Sequence, residues 1–142
     1  MRFLMLMMPK GYGNAEPGAQ PDPAKVAAMS AYNQSLADAG VLLALDGLHP
    51  PVEGARVSFS TGTPRVTHGP FPGVEEVVGG YWIIKTGSKA EAIDWALRCP
   101  ASDNETIEVR QVFEMSDFPP DVHTVVEQFP DTRAAAAVKA LG

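Results

Sequence analysis

Residues 2–8, Arg-Phe-Leu-Met-Leu-Met-Met, are apolar at nearly every position, and this short run constrains the chain more than any other. A strand with one face in water alternates apolar and polar residues; a strand apolar on both faces must be covered on both. Residues 77–86, Val-Val-Gly-Gly-Tyr-Trp-Ile-Ile-Lys-Thr, read the same way and form the strongest strand signal in the sequence. The fold must therefore supply two covers for one sheet. The first run also resembles a short signal core. It is too short for a membrane span, and Pro9-Lys10-Gly11 follows it instead of a small-residue cleavage site, so it reads as a buried first strand.

The remaining elements follow from local chemistry. Residues 9–21, with Pro9, Pro17, Pro21 and three glycines, read as a loop. Asp22-Pro23 opens a helix, the carboxylate capping free amides and the proline fitting the first helical position. Val26, Met29, Asn33 and Leu36 recur at helical spacing, and Gly40 ends the run. Residues 41–48 form a second strand stopped by Pro50-Pro51. Residues 55–60 and 64–68 alternate weakly around Thr61-Gly62-Thr63 and suggest a small hairpin. Ser88 and Glu91 have capping-box spacing and open a second helix, with Ile93, Ala96 and Leu97 as its expected buried stripe and Pro100 as its stop. Residues 105–113 alternate, with Ile107, Val109, Gln111 and Phe113 on one face. The tail, 116–142, suggests a short helix near 122–129 and an Ala-rich one from about residue 132.

Strand-helix-strand, a hairpin insertion, strand-helix-strand and a helical tail predict an α+β, ferredoxin-like βαββαβ fold, with both helices on one face of an antiparallel sheet. Residues 1–115 would form the domain, and 116–142 a helical extension of it. No spare layer is evident for the second face. A second copy of the chain is the simplest cover, giving a homodimer with sheets face to face; the tail folding over that face is the alternative.

The chain has 142 residues, 45% of them hydrophobic and 20% charged, which suits one packed core. With a net charge of -6 and no basic stripe, nucleic acid and anionic membranes are expected to be excluded as partners. Cys99 is the single cysteine, so no intrachain disulfide forms, and a reducing, cytoplasmic setting is the expectation.

The run Val-Thr-His-Gly-Pro-Phe-Pro-Gly-Val-Glu-Glu-Val-Val-Gly-Gly-Tyr-Trp-Ile-Ile, residues 66–84, resembles the signature of the YCII-related proteins of the DGPF type. The Met/Leu-rich first strand, "AGVLLALDGLHPP" at 39–51, "SKAEAIDWALRCP" at 88–100 and "IEVRQV" at 107–112 extend the resemblance over roughly residues 1–115. It implies a ferredoxin-like subunit and a dimeric α/β barrel, in a superfamily that includes cofactor-free monooxygenases, lyases and isomerases of small, often aromatic, molecules. The chain departs from the usual D-G-P-F-A-E-T-K-E run: His68 replaces the Asp, and Pro72-Gly73-Val74-Glu75-Glu76 replaces the last five residues.

Several residues could carry chemistry. His68, beside Gly69-Pro70, offers an imidazole titrating near neutrality at a rigid turn. The alternative is that the turn only anchors Phe71 and the histidine is a surface replacement for Asp. Asp46, late in an apolar strand, is a candidate base or a strand-end acceptor. His49 could join it as an acid/base pair or lie in an exposed loop. Arg110 is expected on the face away from the helices, where it could hold a carboxylate or phenolate, or pair with Glu108 or Glu75. Tyr81 and Trp82 must point to opposite faces; Tyr81 is the expected pocket wall. Catalytic roles are therefore assigned to His68, Asp46 and His49, and substrate binding to Arg110, Tyr81 and Glu75. His49, His68 and His123 lack metal-ligand spacing, and neither a metal nor an organic cofactor is expected. Cys99 reads as a packing residue. The functional expectation is a small-molecule-binding protein performing proton transfer of lyase or isomerase type on an aromatic or carboxylate ligand. The alternatives are a non-catalytic ligand-binding or transcription-associated regulatory module, and a partner-binding role for the tail's Val122, Val125, Val126 and Phe129.

Overall fold

The computed structural model of the chain describes residues 1–60 and 62–132. Strand β1 (Arg2–Met8) covers the apolar run and alternates between buried and half-buried residues. Helix α1 (Pro23–Asp38) starts as expected, with Asp22 Oδ1 accepting from the Ala24 amide at 2.9 Å. β2 (Leu42–Gly47) follows, then the β3 (Ala55–Ser58) and β4 (Arg65–His68) hairpin, then β5 (Gly80–Lys85). Helix α2 (Lys89–Leu97) opens on Ser88, whose Oγ accepts from the Glu91 amide at 3.2 Å, while the Glu91 carboxylate reaches back to the Gly87 amide at 2.8 Å. β6 (Thr106–Gln111) and α3 (Pro120–Glu127) complete the described elements. The Ala-rich helix expected from about residue 132 falls, past that residue, outside the described part.

The four long strands form one sheet in the order β2-β5-β1-β6, all neighbours antiparallel. With α1 and α2 packed on one face, this is the ferredoxin-like α+β arrangement. The core lies under the helices and contains Phe3, Met5, Met7, Trp82 and Ile84 from the sheet, Tyr32 and Leu36 from α1, and Ala92 and Trp95 from α2. Fully burying such side chains contributes roughly 1.5–3 kcal/mol each, which is what fixes this face.

Helix α1 turns its expected stripe inward from Met29 through Asn33 to Leu36, with Val26 left outside, whereas α2 is rotated relative to the sequence pattern. In α1, Val26 is 45% exposed and Tyr32 is buried, its hydroxyl donating to the Trp95 carbonyl at 2.8 Å. In α2, Ile93 and Leu97 turn outward and Ala92 and Trp95 turn in, with Ala96 at the margin. The Tyr32–Trp95 bond joins the two helices, and the bulk of Trp95 decides which stripe of α2 is inside.

Among the described residues the hairpin pairs only with itself. Its base is docked on the Pro50–Gly54 segment: the Gly69 amide donates to the Gly54 carbonyl at 2.9 Å. A Cβ at Gly69 would stand 1.6 Å from the Pro51 carbonyl oxygen, so no other residue fits there. The glycine is thus explained by close backbone approach. Phe71 lies outside the core cluster, half-buried, with the Arg56 guanidinium 4.2 Å from its ring centroid.

Candidate functional site

The helix-free face of the sheet carries the candidate groups. Alternation sends Phe3, Met5 and Met7 to the core and Leu4, Leu6 and Met8 to the opposite face, where all three are only half-buried. Register places their neighbours. Across one row Asp46 stands beside Tyr81, Tyr81 beside Leu6, and Leu6 beside Glu108. The next row runs Ala44, Ile83, Leu4, Arg110. A one-residue register shift between Leu42 and Ala44 sets this alignment. The result is an apolar floor with polar groups along both edges.

At one edge the Tyr81 hydroxyl donates to Asp46 Oδ2 at 2.8 Å. That bond raises the phenol pKa above its ordinary value, because ionising the phenol would set two negative charges side by side. Tyr81 is therefore a neutral hydrogen-bond donor at physiological pH, and Asp46 is an acceptor with one oxygen free of this bond. Behind them a pocket of about 180 Å³ is walled by Met7, Met29, Leu45 and Trp82, and Asn33 accepts from the Trp82 indole at 2.8 Å. At the opposite edge Arg110 sits 3.5 Å from Glu108, with 70% of its side chain exposed. Strand spacing of about 4.8 Å and a rise of about 3.4 Å per residue put the Tyr81 and Arg110 backbones about 12 Å apart, a span that a small aromatic acid with two long side chains can bridge.

The open face ends at a cleft of about 570 Å³, bordered by Met8 and Thr106 from the sheet and by Lys10, Asn104, Glu75 and Glu76. Glu75, expected as a binding residue, stands exposed on its wall. Lys10, Asn104 and Thr106 were not foreseen. Asn104, the only non-glycine residue with a left-handed φ (65°) among the described residues, had a signal in the Asp103-Asn104 turn dipeptide.

The two histidines lie elsewhere. His49 Nδ1 is 2.9 Å from Glu53 in an i,i+4 pair, so the imidazole is engaged by Glu53 while Asp46 is engaged by Tyr81. The His-x-x-x-Glu spacing was a readable signal for this. His68 is exposed at the base of the hairpin opposite Ala55. Cys99 is half-buried, and burial, with help from Glu105, pushes its thiol up to about 11, which makes it a poor nucleophile at neutral pH. Among the described residues no three His, Cys, Asp or Glu side chains converge in a way that could hold a metal ion, and no helix is long and apolar enough to cross a membrane.

Against models of known protein families, residues 1–116 match the YCII-related domain. The chain belongs to the YCII-related family. Its match covers the six-stranded part and stops as the single turn at Met115–Asp117 begins. Compared with curated proteins, the chain finds no significant match. Family membership agrees with the fold and leaves the chemistry to be argued from the site.

Proposed function

We propose that this YCII-related protein binds a small molecule carrying a carboxylate or phenolate on the open sheet face, closed by a second copy of the chain, and moves a proton on it. The observation that carries this reading is the Tyr81–Asp46 hydrogen bond at the edge of an otherwise apolar face. An enolisable C–H beside the free Asp46 oxygen would lose its proton to the carboxylate, and the Tyr81 hydroxyl, held neutral by the same pair, would donate to the oxygen on which negative charge develops. Arg110, held among the described residues by a long contact to Glu108, would take the ligand's anionic group. No organic cofactor enters this scheme. The lone thiol suits a reducing, cytoplasmic setting.

Solvent exchange tests the reaction without knowledge of the physiological product. In D₂O the protein should accelerate deuterium incorporation at C3, the methylene beside the ketone, of an enolisable 2-oxo acid such as phenylpyruvate. Asp46→Asn should lower that rate at least a hundredfold and Tyr81→Phe about tenfold. Exchange at the buffer rate by the wild type, with benzoate and phenylpyruvate still raising its melting temperature, would establish the second reading, a ligand-binding module without turnover.

A further inference from the structure

One glycine of the main sheet has no packing reason to be a glycine. Register sets Gly47 of β2 beside Gly80 of β5, and Gly80 beside Met7 of β1. Strand alternation puts this row on the helix-covered face, next on that face to the row of Leu45 and Trp82. Crowding explains Gly80, since a Cβ there would stand 3.1 Å from the Asp46 carbonyl oxygen. It does not explain Gly47, whose φ lies outside the left-handed region and where an added Cβ would meet nothing within 4 Å. Both glycines line the pocket of about 180 Å³ between α1 and the sheet, walled by Met7, Met29, Leu45 and Trp82. Packed interiors leave few gaps larger than a water molecule, and a glycine within a strand often marks the place where a ligand comes close.

Size, charge and one polar side chain define the occupant. An apolar cavity of about 150 Å³ takes up benzene, so this pocket has room for one ring. The one charged residue on its lining is Asp46, already engaged by the Tyr81 hydroxyl, and no cation is there to hold an anion. Asn33, also on the lining, adds a hydrogen-bonding group. An indole N–H only donates, so the Asn33 oxygen is the atom bonded to Trp82 at 2.8 Å, and the Asn33 amide nitrogen is left as a donor. Among the described residues that nitrogen has no hydrogen-bond partner. We propose that this pocket binds a neutral, benzene-sized ring bearing a hydrogen-bond acceptor, with the ring between Met29 and Trp82 and the acceptor on Asn33 Nδ2. The walls come from one chain, so the site goes beyond the open-face reading and depends on neither its reaction nor its dimer.

Nuclear magnetic resonance of the ¹⁵N-labelled chain tests this through the indole N–H signals of its two tryptophans, of which Trp82 borders the pocket and Trp95 does not. Asn33→Asp identifies the Trp82 signal, because it keeps an acceptor for the indole while removing the amide donor. Benzonitrile should move the Trp82 signal in a saturable, low-millimolar titration and leave Trp95 in place. Toluene, which lacks an acceptor, should bind about fivefold more weakly, and in Asn33→Asp that difference should vanish. Gly47→Leu, whose side chain fills the pocket, should weaken both at least tenfold. Gly47→Ala adds one carbon to the same space and should weaken them about twofold, which guards against a folding defect in the larger variant. Benzoate, an anion of the kind assigned to the open face, should leave Trp82 unmoved. An unmoved Trp82 signal up to the solubility limit of benzonitrile, undiminished binding by both Gly47 variants, or a benzoate shift as large as that of benzonitrile would overturn the pocket. Deuterium exchange at the open face is a separate readout, so either proposal can fail alone.

Discussion

The two faces of one sheet have nearly the same composition and opposite fates. Under the helices, Phe3, Met5 and Ile84 are 0–1% exposed. One residue along each strand, Leu4, Leu6 and Ile83 are just as apolar and remain half-exposed. Apolar content therefore says that a face needs a cover, and topology decides whether the chain itself supplies it. Here α1 and α2 fill one side. On the other, α3 contributes no buried residue and leaves Val125 55% and Phe129 59% exposed, so the described part of the tail does not serve as a second layer.

This contrast can be broken most strongly in the core. Met5→Ala should cost about 2–5 kcal/mol in urea unfolding, because it leaves a cavity among packed side chains. Leu6→Ala, one residue away on the open face, should cost less than about 1 kcal/mol when measured on the dissociated chain, since that side chain is already partly in water. Equal losses in the two variants would mean that both faces are core.

A finer version uses adjacent aromatics. Trp82 is buried and its indole N–H needs Asn33, whereas Tyr81 points to the open face and bonds Asp46 near solvent. Asn33→Ala should lower stability by about 1 kcal/mol, the cost of a donor left without its partner. Tyr81→Phe should leave unfolding unchanged and affect only ligand binding and proton exchange.

The smallest effect lies at the end of the open face, where Arg2 Nε and Nη2 bind the two oxygens of Glu114 at 2.8 and 3.1 Å. The bond to Arg2 holds the Glu114 carboxyl below its usual range. A carboxylate with a depressed folded-state pKa stabilises the fold above its unfolded value, about 4.3, and that contribution is lost as pH falls through the folded pKa. The pair is more than one-third exposed, so screening limits it to about 0.5 kcal/mol. Glu114→Gln should show that loss at pH 7 and converge with the wild type near pH 3 in paired urea titrations.

Much of the fold was legible because its signals are local. The limits of β1 follow from an uninterrupted apolar run, and the starts of α1 and α2 from Asp22 and Ser88 as caps. The inner stripe of α2 was not legible. Ile93 and Leu97 satisfy helical spacing as well as Ala92 and Trp95 do, and the choice depends on Tyr32, 63 residues away in sequence from the carbonyl it binds. In α1 the expected Met29, Asn33 and Leu36 do face the core, and Tyr32 completes the same stripe. At the site, the opposite orientations of Tyr81 and Trp82 and the outward placement of Arg110 follow from strand alternation. The meeting of Asp46 with Tyr81 does not, since it depends on the β2–β5 register and its one-residue shift. The Lys10–Glu76 cleft was hidden because loops distant in sequence assemble it.

The central claim is that the open face is an interface and not an exposed accident of composition. Sedimentation equilibrium of the wild type beside Leu6→Glu tests it most directly. The account predicts a wild-type mass of about 30 kDa, twice the 15.1 kDa of one chain, and a folded 15.1 kDa species for Leu6→Glu. A wild type that sediments at 15.1 kDa across micromolar concentrations, or a Leu6→Glu variant that remains fully dimeric, would contradict it.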